Sequence, residues 1–204
     1  FTGSVFIRHL LIHFGGGPDA GWDAFNQQLY ETASDATTNL LNELKPYLCR
    51  GGETYPVTLS DPNRLFSNSE IDFAMTYGPS FASEHIARGE FPSTTRTFVF
   101  NEGTIGNYSF LAIPFNASNI AGALVVINFL MSPEQQLDRS RSLGDVFALE
   151  QHLLAPDERR QAQELPLGLA TLPADILTAH LISEPDAEYL RRLERDWLEK
   201  VLRQ

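Results

Sequence analysis

His9 and His13 stand four residues apart. That spacing puts two imidazoles on one side of a helix, as many zinc sites do. Zinc needs at least one more ligand, and Leu10 rather than Glu follows His9, so the metalloprotease pattern is missing. Exposed or half-buried histidines are the ordinary outcome, and no metal is expected. Gly15-Gly16-Gly17 lacks the Lys-Ser/Thr of a phosphate-binding loop and reads as a helix stop. Cys49 is the sole cysteine, which excludes an internal disulfide, and its default role is that of a small hydrophobe. No serine lies in a Gly-x-Ser-x-Gly elbow. Asn107-Tyr108-Ser109 and Asn116-Ala117-Ser118 match the glycosylation tripeptide, which is common by chance. With no nucleophile, metal cluster or paired acid and base in evidence, the chain reads as a non-enzyme without a cofactor.

Two loops have the physics of binding. Tyr77-Gly78-Pro79-Ser80 leads from an expected strand end into an expected helix. Open α/β sheets take ligands at that edge, where a helix start also offers free N–H donors. Glu102-Gly103-Thr104-Ile105-Gly106 lies between two expected strands, with glycines that permit close backbone approach.

The elements that would position these loops follow from hydrophobic period. Residues 4–14 carry Val5, Phe6, Leu10 and Phe14 near one helical face. Residues 21–48 read as helix, with Phe25, Leu29, Leu40, Leu41, Leu44 and Leu48 as core candidates and a weak stretch at 32–38. Ile71, Phe73, Met75 and Tyr77 alternate with Asp72, Ala74 and Thr76, a strand pattern. Residues 80–88 read as helix, and 95–100 and 108–113 as further strands, so the order predicts an α/β sheet with crossovers. Beyond Asn116 the chain reads as helical. Ile120, Leu124, Ile127 and Met131 make a stripe, widened by Ala123 and Leu130, with Ser118 or Asn119 as cap. Ser132-Pro133-Glu134-Gln135 predicts a capping box with Gln135 reaching back. Pro156 and Pro185 mark helix starts. The last helix should bury Leu190, Leu193, Trp197 and Val201 and pair Glu188 with Arg192.

Composition narrows the function. The chain has 204 residues, 43% of them hydrophobic, enough for a packed core. Its 15 Lys and Arg against 26 Asp and Glu give a net charge of −11. That balance argues against a nucleic-acid partner, which would need a basic face, and against adsorption to anionic lipid. The longest nearly apolar run, 121–131, is interrupted by Asn128 and falls far short of the roughly 20 residues of a membrane span. Phe1-Thr2-Gly3 is neither an initiator methionine nor a charged leader, so a piece of a longer chain is expected.

One long stretch is more specific. It comprises Glu102-Gly103-Thr104, then residues 110–119 (Phe-Leu-Ala-Ile-Pro-Phe-Asn-Ala-Ser-Asn), Gly122-Ala123-Leu124 and residues 127–134 (Ile-Asn-Phe-Leu-Met-Ser-Pro-Glu). It resembles the return segment of type II periplasmic substrate-binding proteins of ATP-binding-cassette importers, in the polyamine, thiamine and iron-binding branch. Phe1-Thr2-Gly3-Ser4-Val5-Phe6 is similar to the crossover into their second lobe, and 21–25 and 71–77 fit more weakly. The resemblance implies two α/β lobes around a cleft that closes on a small polar solute, and docking on a membrane permease from the periplasm. It implies that residues 1–103 form the second lobe, 104–150 the return crossover and long helix, and 151–204 a C-terminal helical segment, with the N-terminal lobe missing. The cleft would be lined by Thr2, Gly3, Ser4, Tyr77, Gly78, Ser80, Glu102, Gly103, Thr104, Asn107 and Ser109. Polyamine binders of this kind place an aromatic and a carboxylate where Asn107 and Ser109 stand, so a neutral or anionic polar solute is expected. A ligand-sensing domain of a transcription regulator shares the implied fold and is the alternative. A hydrolase on an α/β sheet is a weaker third reading.

Overall fold

The computed structural model describes residues 2–56, 58, 60–107, 109–144 and 147–203. The chain is 55% helical, with only 2% in two short parallel strands. This overturns the expected α/β, type II periplasmic-binding architecture. In order, the chief elements are α1 (Thr2–Phe14), α2 (Gln27–Leu44), α3 (Ser60–Ser67), α4 (Phe81–Ala87), β1 (Thr104–Ile105), α5 (Ile120–Leu130), α6 (Pro133–Leu143), α7 (Pro156–Gln163), α8 (Ala174–Ala179), β2 (Leu181–Ile182) and α9 (Ala187–Trp197). Thr104 pairs with Leu181 and Ile105 with Ile182.

The three expected strands at 71–77, 95–100 and 108–113 are irregular wherever they are described; Tyr108 lies outside the described residues. An alternating pattern supplies two faces, but a strand also needs a neighbour to take its N–H and C=O groups. Phe73 instead stands 79% exposed in an irregular segment. Around 95–100 the side chains bond to carbonyls near and far in place of a strand ladder, and the buried Thr95 hydroxyl has no partner. Arg96 donates to the carbonyls of Ser93 and Thr95, at 3.0 and 2.7 Å, and Thr97 donates to that of Ala170. Among the described residues no helix is long and apolar enough to cross a membrane.

The chain divides into two compact units. The first comprises Phe1–Thr76, Phe98–Asn107 and Ala174–Gln204. Its core gathers Leu11 and Ile12 of α1, Trp22, Tyr30 and Ala33, and Tyr189 and Leu193 of α9. Tyr189 is fully buried. Its ring lies 5.1 Å from that of Trp22 and 4.9 Å from that of Phe25. Its hydroxyl accepts from the Asn26 amide at 2.9 Å and donates to the Ala24 carbonyl at 3.3 Å. A tyrosine thus ties the chain entering α2 to the last helix, where Leu190 and Trp197 are only half-buried.

α2 starts at Gln27 rather than near Gly21, because the Asn26 side chain caps it by accepting from the Leu29 amide at 3.0 Å. Its expected weak middle is continuous helix. Ala33, Ser34 and Thr37 are buried there, and Thr37 donates to the Ala33 carbonyl at 2.8 Å. Small side chains suit this interior position, and burial outweighs their modest helix propensity. Gly15 follows from packing too: a Cβ there would lie 2.4 Å from the Trp22 ring.

The second unit comprises Tyr77–Thr97 and Tyr108–Pro173. Its buried cluster is Leu137, Leu154 and Ala162. The Ser83 hydroxyl of α4 accepts from the Ala170 amide at 2.9 Å and bonds the Thr171 hydroxyl at 2.7 Å. Asn119 caps α5, accepting from the Gly122 amide at 2.8 Å, and Ser132 caps α6, accepting from that of Gln135 at 3.3 Å. The Gln135 side chain points on to Asp138, at 3.5 Å, instead of reaching back. α7 starts at Pro156, where Glu158 accepts from the Ala155 amide at 2.9 Å.

Candidate functional site at the α1, β1 and β2 junction

α1 carries a polar row into the first unit. Arg8 and His9 are buried on a helix whose neighbours Val5, Leu11 and Ile12 are buried too. The Arg8 side chain is 3% exposed and pairs through Nη1 with the Glu184 carboxylate, just beyond β2. Its Nε donates to the Ser4 carbonyl at 3.3 Å. The other Glu184 oxygen accepts from the Asn107 side-chain Nδ2 at 3.4 Å, a loose contact. One carboxylate therefore links α1 to the segment after β1.

His9 holds β1. Its Nδ1 lies 2.9 Å from the Val5 carbonyl, which can only accept, so Nδ1 carries the proton. Its Nε2 then accepts from the Ile105 amide at 2.9 Å. The Phe100 ring lies 5.1 Å away. Burial lowers the His9 pKa from 6.5, and the Arg8 charge lowers it further, against the opposing pull of the Val5 carbonyl. A neutral ring is what both hydrogen bonds need. With both nitrogens engaged by backbone, His9 is unavailable to a metal. Among the described residues no three His, Cys, Asp or Glu side chains gather as a metal centre.

His13, one turn on, bonds the Glu102 carboxylate at 3.0 Å in a solvent-exposed pair. A backbone amide and the His13 hydrogen bond hold the Glu102 pKa below the usual carboxylate range. Gly103 follows with φ +112, and a Cβ there would lie 2.4 Å from Ile182. Only glycine allows this approach of β1 to β2. Thr104 donates its amide to the His180 carbonyl at 2.6 Å, and its hydroxyl oxygen accepts from the Phe100 amide at 3.2 Å.

Beside this junction is a half-open hollow of about 410 Å³, lined by Ile12, by Pro18, Asp19 and residues 21–23, and by residues 181–184. Asp19, Asp23 and Glu184 bring carboxylates to its wall, and Ser183 brings a hydroxyl. Its volume and its mixed lining, apolar at Ile12, Trp22, Leu181 and Ile182 and polar at Asp19, Asp23, Ser183 and Glu184, suit a small molecule better than a macromolecule.

Of the residues expected to line a cleft, Ser4, Glu102, Gly103, Thr104 and Asn107 meet at this junction. Gly3 is exposed in the first turn of α1; Thr2 begins that helix, and its side chain is outside the described set. Tyr77, Gly78, Ser80 and Ser109 belong to the second unit. There Tyr77 is half exposed, Gly78 has φ +84, and Ser80 occupies the cap position of α4 without a side-chain cap bond. Sequence reasoning missed Arg8, Trp22 and Glu184. Val5, Arg8 and Ile12 follow helical i, i+3 and i+7 spacing, so a charge on the apolar face was the available signal for Arg8.

No family model matches the chain, and no solved structure matches it. It is 32% identical over 202 residues to Protein YnjB of Escherichia coli (strain K12), a match taking in 98% of this chain and 50% of that protein. The chain thus spans about half the length of the curated relative it matches.

Proposed function

We propose that the chain is part of the solute-binding component of an ATP-binding-cassette importer, which captures a small polar solute and delivers it to a membrane permease. The carrying observation is the half-open hollow of about 410 Å³ beside the ion pair of buried Arg8 with exposed Glu184. Its size fits a small solute, and one of its carboxylates, that of Glu184, is held by Arg8. The motif likeness between Glu102 and Glu134 supports the same reading, which carries a periplasmic location with it.

The cavity modifies the expectation drawn from Asn107 and Ser109. With Asp19, Asp23 and Glu184 on the wall, a neutral or cationic solute is favoured over an anionic one. Mass spectrometry of small molecules that co-purify with the full-length protein, followed by calorimetry, tests this. The expected result is one bound polar solute, with affinity reduced at least about tenfold by Ser183→Trp, which fills the cavity. Bound solute with unchanged affinity in that variant would move the site elsewhere. Turnover of a substrate, or a helix-turn-helix in the rest of the gene product, would replace the transport reading with an enzyme or a regulator.

A further inference from the structure

α5 has the composition of a buried helix and the surroundings of a surface one. Ten of its eleven residues, Ile-Ala-Gly-Ala-Leu-Val-Val-Ile-Asn-Phe-Leu, carry no polar side chain, and none is buried. Ile120, Leu124, Val125, Val126 and Phe129 are each between 50% and 70% exposed. At about 100° per residue these five spread over roughly two-thirds of the helix circumference. A surface helix is apolar along one stripe, whereas a helix apolar all round is an internal one. Phe110, Leu111 and Phe115 of the same unit are exposed as well.

We propose that α5 is an internal helix of the full-length protein, seated in a groove built by polypeptide outside these 204 residues. Three observations choose this occupant. The match to Protein YnjB takes in only 50% of that protein, so a relative of this chain has as much polypeptide again available to cover the helix. A second copy of the chain is a poor fit, because a two-fold contact covers one face of a helix and here several faces are open. A bilayer is a poor fit too. Eleven residues rise only about 16 Å, roughly half of a hydrocarbon core, and the net charge of −11 opposes an anionic surface. The inference goes beyond solute capture and does not depend on it.

The test uses the full-length protein as its gene encodes it, with Cys49→Ser and Val125→Cys. Maleimide labelling of residue 125 should be at least about 100-fold slower in the native protein than in urea. A photo-crosslinker at Leu124 should attach to peptides outside residues 1–204. Labelling in the native protein as fast as in urea would overturn the proposal. So would crosslinks joining two copies, or crosslinks confined to these 204 residues. Hydrogen exchange on the unaltered protein covers the case in which the variants do not fold: amides of 120–130 should exchange with the slow core, and fast exchange there would overturn the proposal.

Discussion

Removing His9 should unfasten β1 from α1. In His9→Ala the Val5 carbonyl and the Ile105 amide each lose a partner now 2.9 Å away. Two hydrogen bonds contribute about 1 kcal/mol each, and an orphaned, part-buried N–H costs about 1 more. Losing the tilted contact with Phe100 adds up to about 1 kcal/mol. The expected loss is about 3 kcal/mol, measured by urea unfolding followed by circular dichroism near pH 7.5. A second readout is specific to the neutral ring. The folded-state pKa of His9 is lowered from 6.5, so as pH falls the unfolded chain takes up the proton first. Stability from this group is complete above about pH 6.5 and declines from there down to the folded pKa, by at most about 1.4 kcal/mol per pH unit. His9→Gln has no such proton, so its stability should fall less than that of the parent between pH 7 and pH 5. His13, His85, His152 and His180 are common to both proteins and cancel in that difference. A loss below about 0.5 kcal/mol in His9→Ala, or parallel pH profiles for the parent and His9→Gln, would refute the clamp.

Glu184→Ala leaves the buried Arg8 guanidinium without its carboxylate and should cost about 2 kcal/mol of stability, with part of it recovered in the double variant Arg8→Met, Glu184→Leu; full additivity in a double-mutant cycle would show that the pair is not coupled. Gly103→Ala places a methyl group 2.4 Å from Ile182 at φ +112, so a destabilisation of about 2 kcal/mol is expected, with loss of amide protection at Thr104 and Gly106; parental stability would mean that the strands separate at little cost. Asn119→Ala removes the α5 cap and should cost about 1 kcal/mol, restored in Asn119→Ser but not in Asn119→Val, and equal stability of all three would show that the cap bond is dispensable.

Several signals that act within one turn of backbone were legible in the sequence, although Gln135 turns to Asp138 instead of closing the expected capping box. Asn119 and Ser132 cap the helices expected of them, Pro156 opens α7, and Arg192 reaches Glu188 at 2.7 Å, because each interaction closes between residues three or four apart. Composition likewise fixed the net charge and the absence of any disulfide within these residues. The strands were not legible. Residues 71–77 have the alternation and no ladder, while β1 forms within 102–106, which reads as a loop, because Gly103 lets it come against β2 some eighty residues later. Of the expected cleft set, Ser4, Glu102, Gly103, Thr104 and Asn107 lie at one junction and Tyr77, Gly78, Ser80 and Ser109 in the other unit, and the residues that anchor the junction were missed. The burial of Arg8 depends on Glu184, and that of Tyr189 on Trp22, Phe25 and the backbone of Ala24 and Asn26, partners distant along the chain. A sequence specifies a cap by itself, since donor and acceptor arrive together on one helix. It cannot by itself say which charge or ring is buried, because that depends on a partner that only the folded chain brings near.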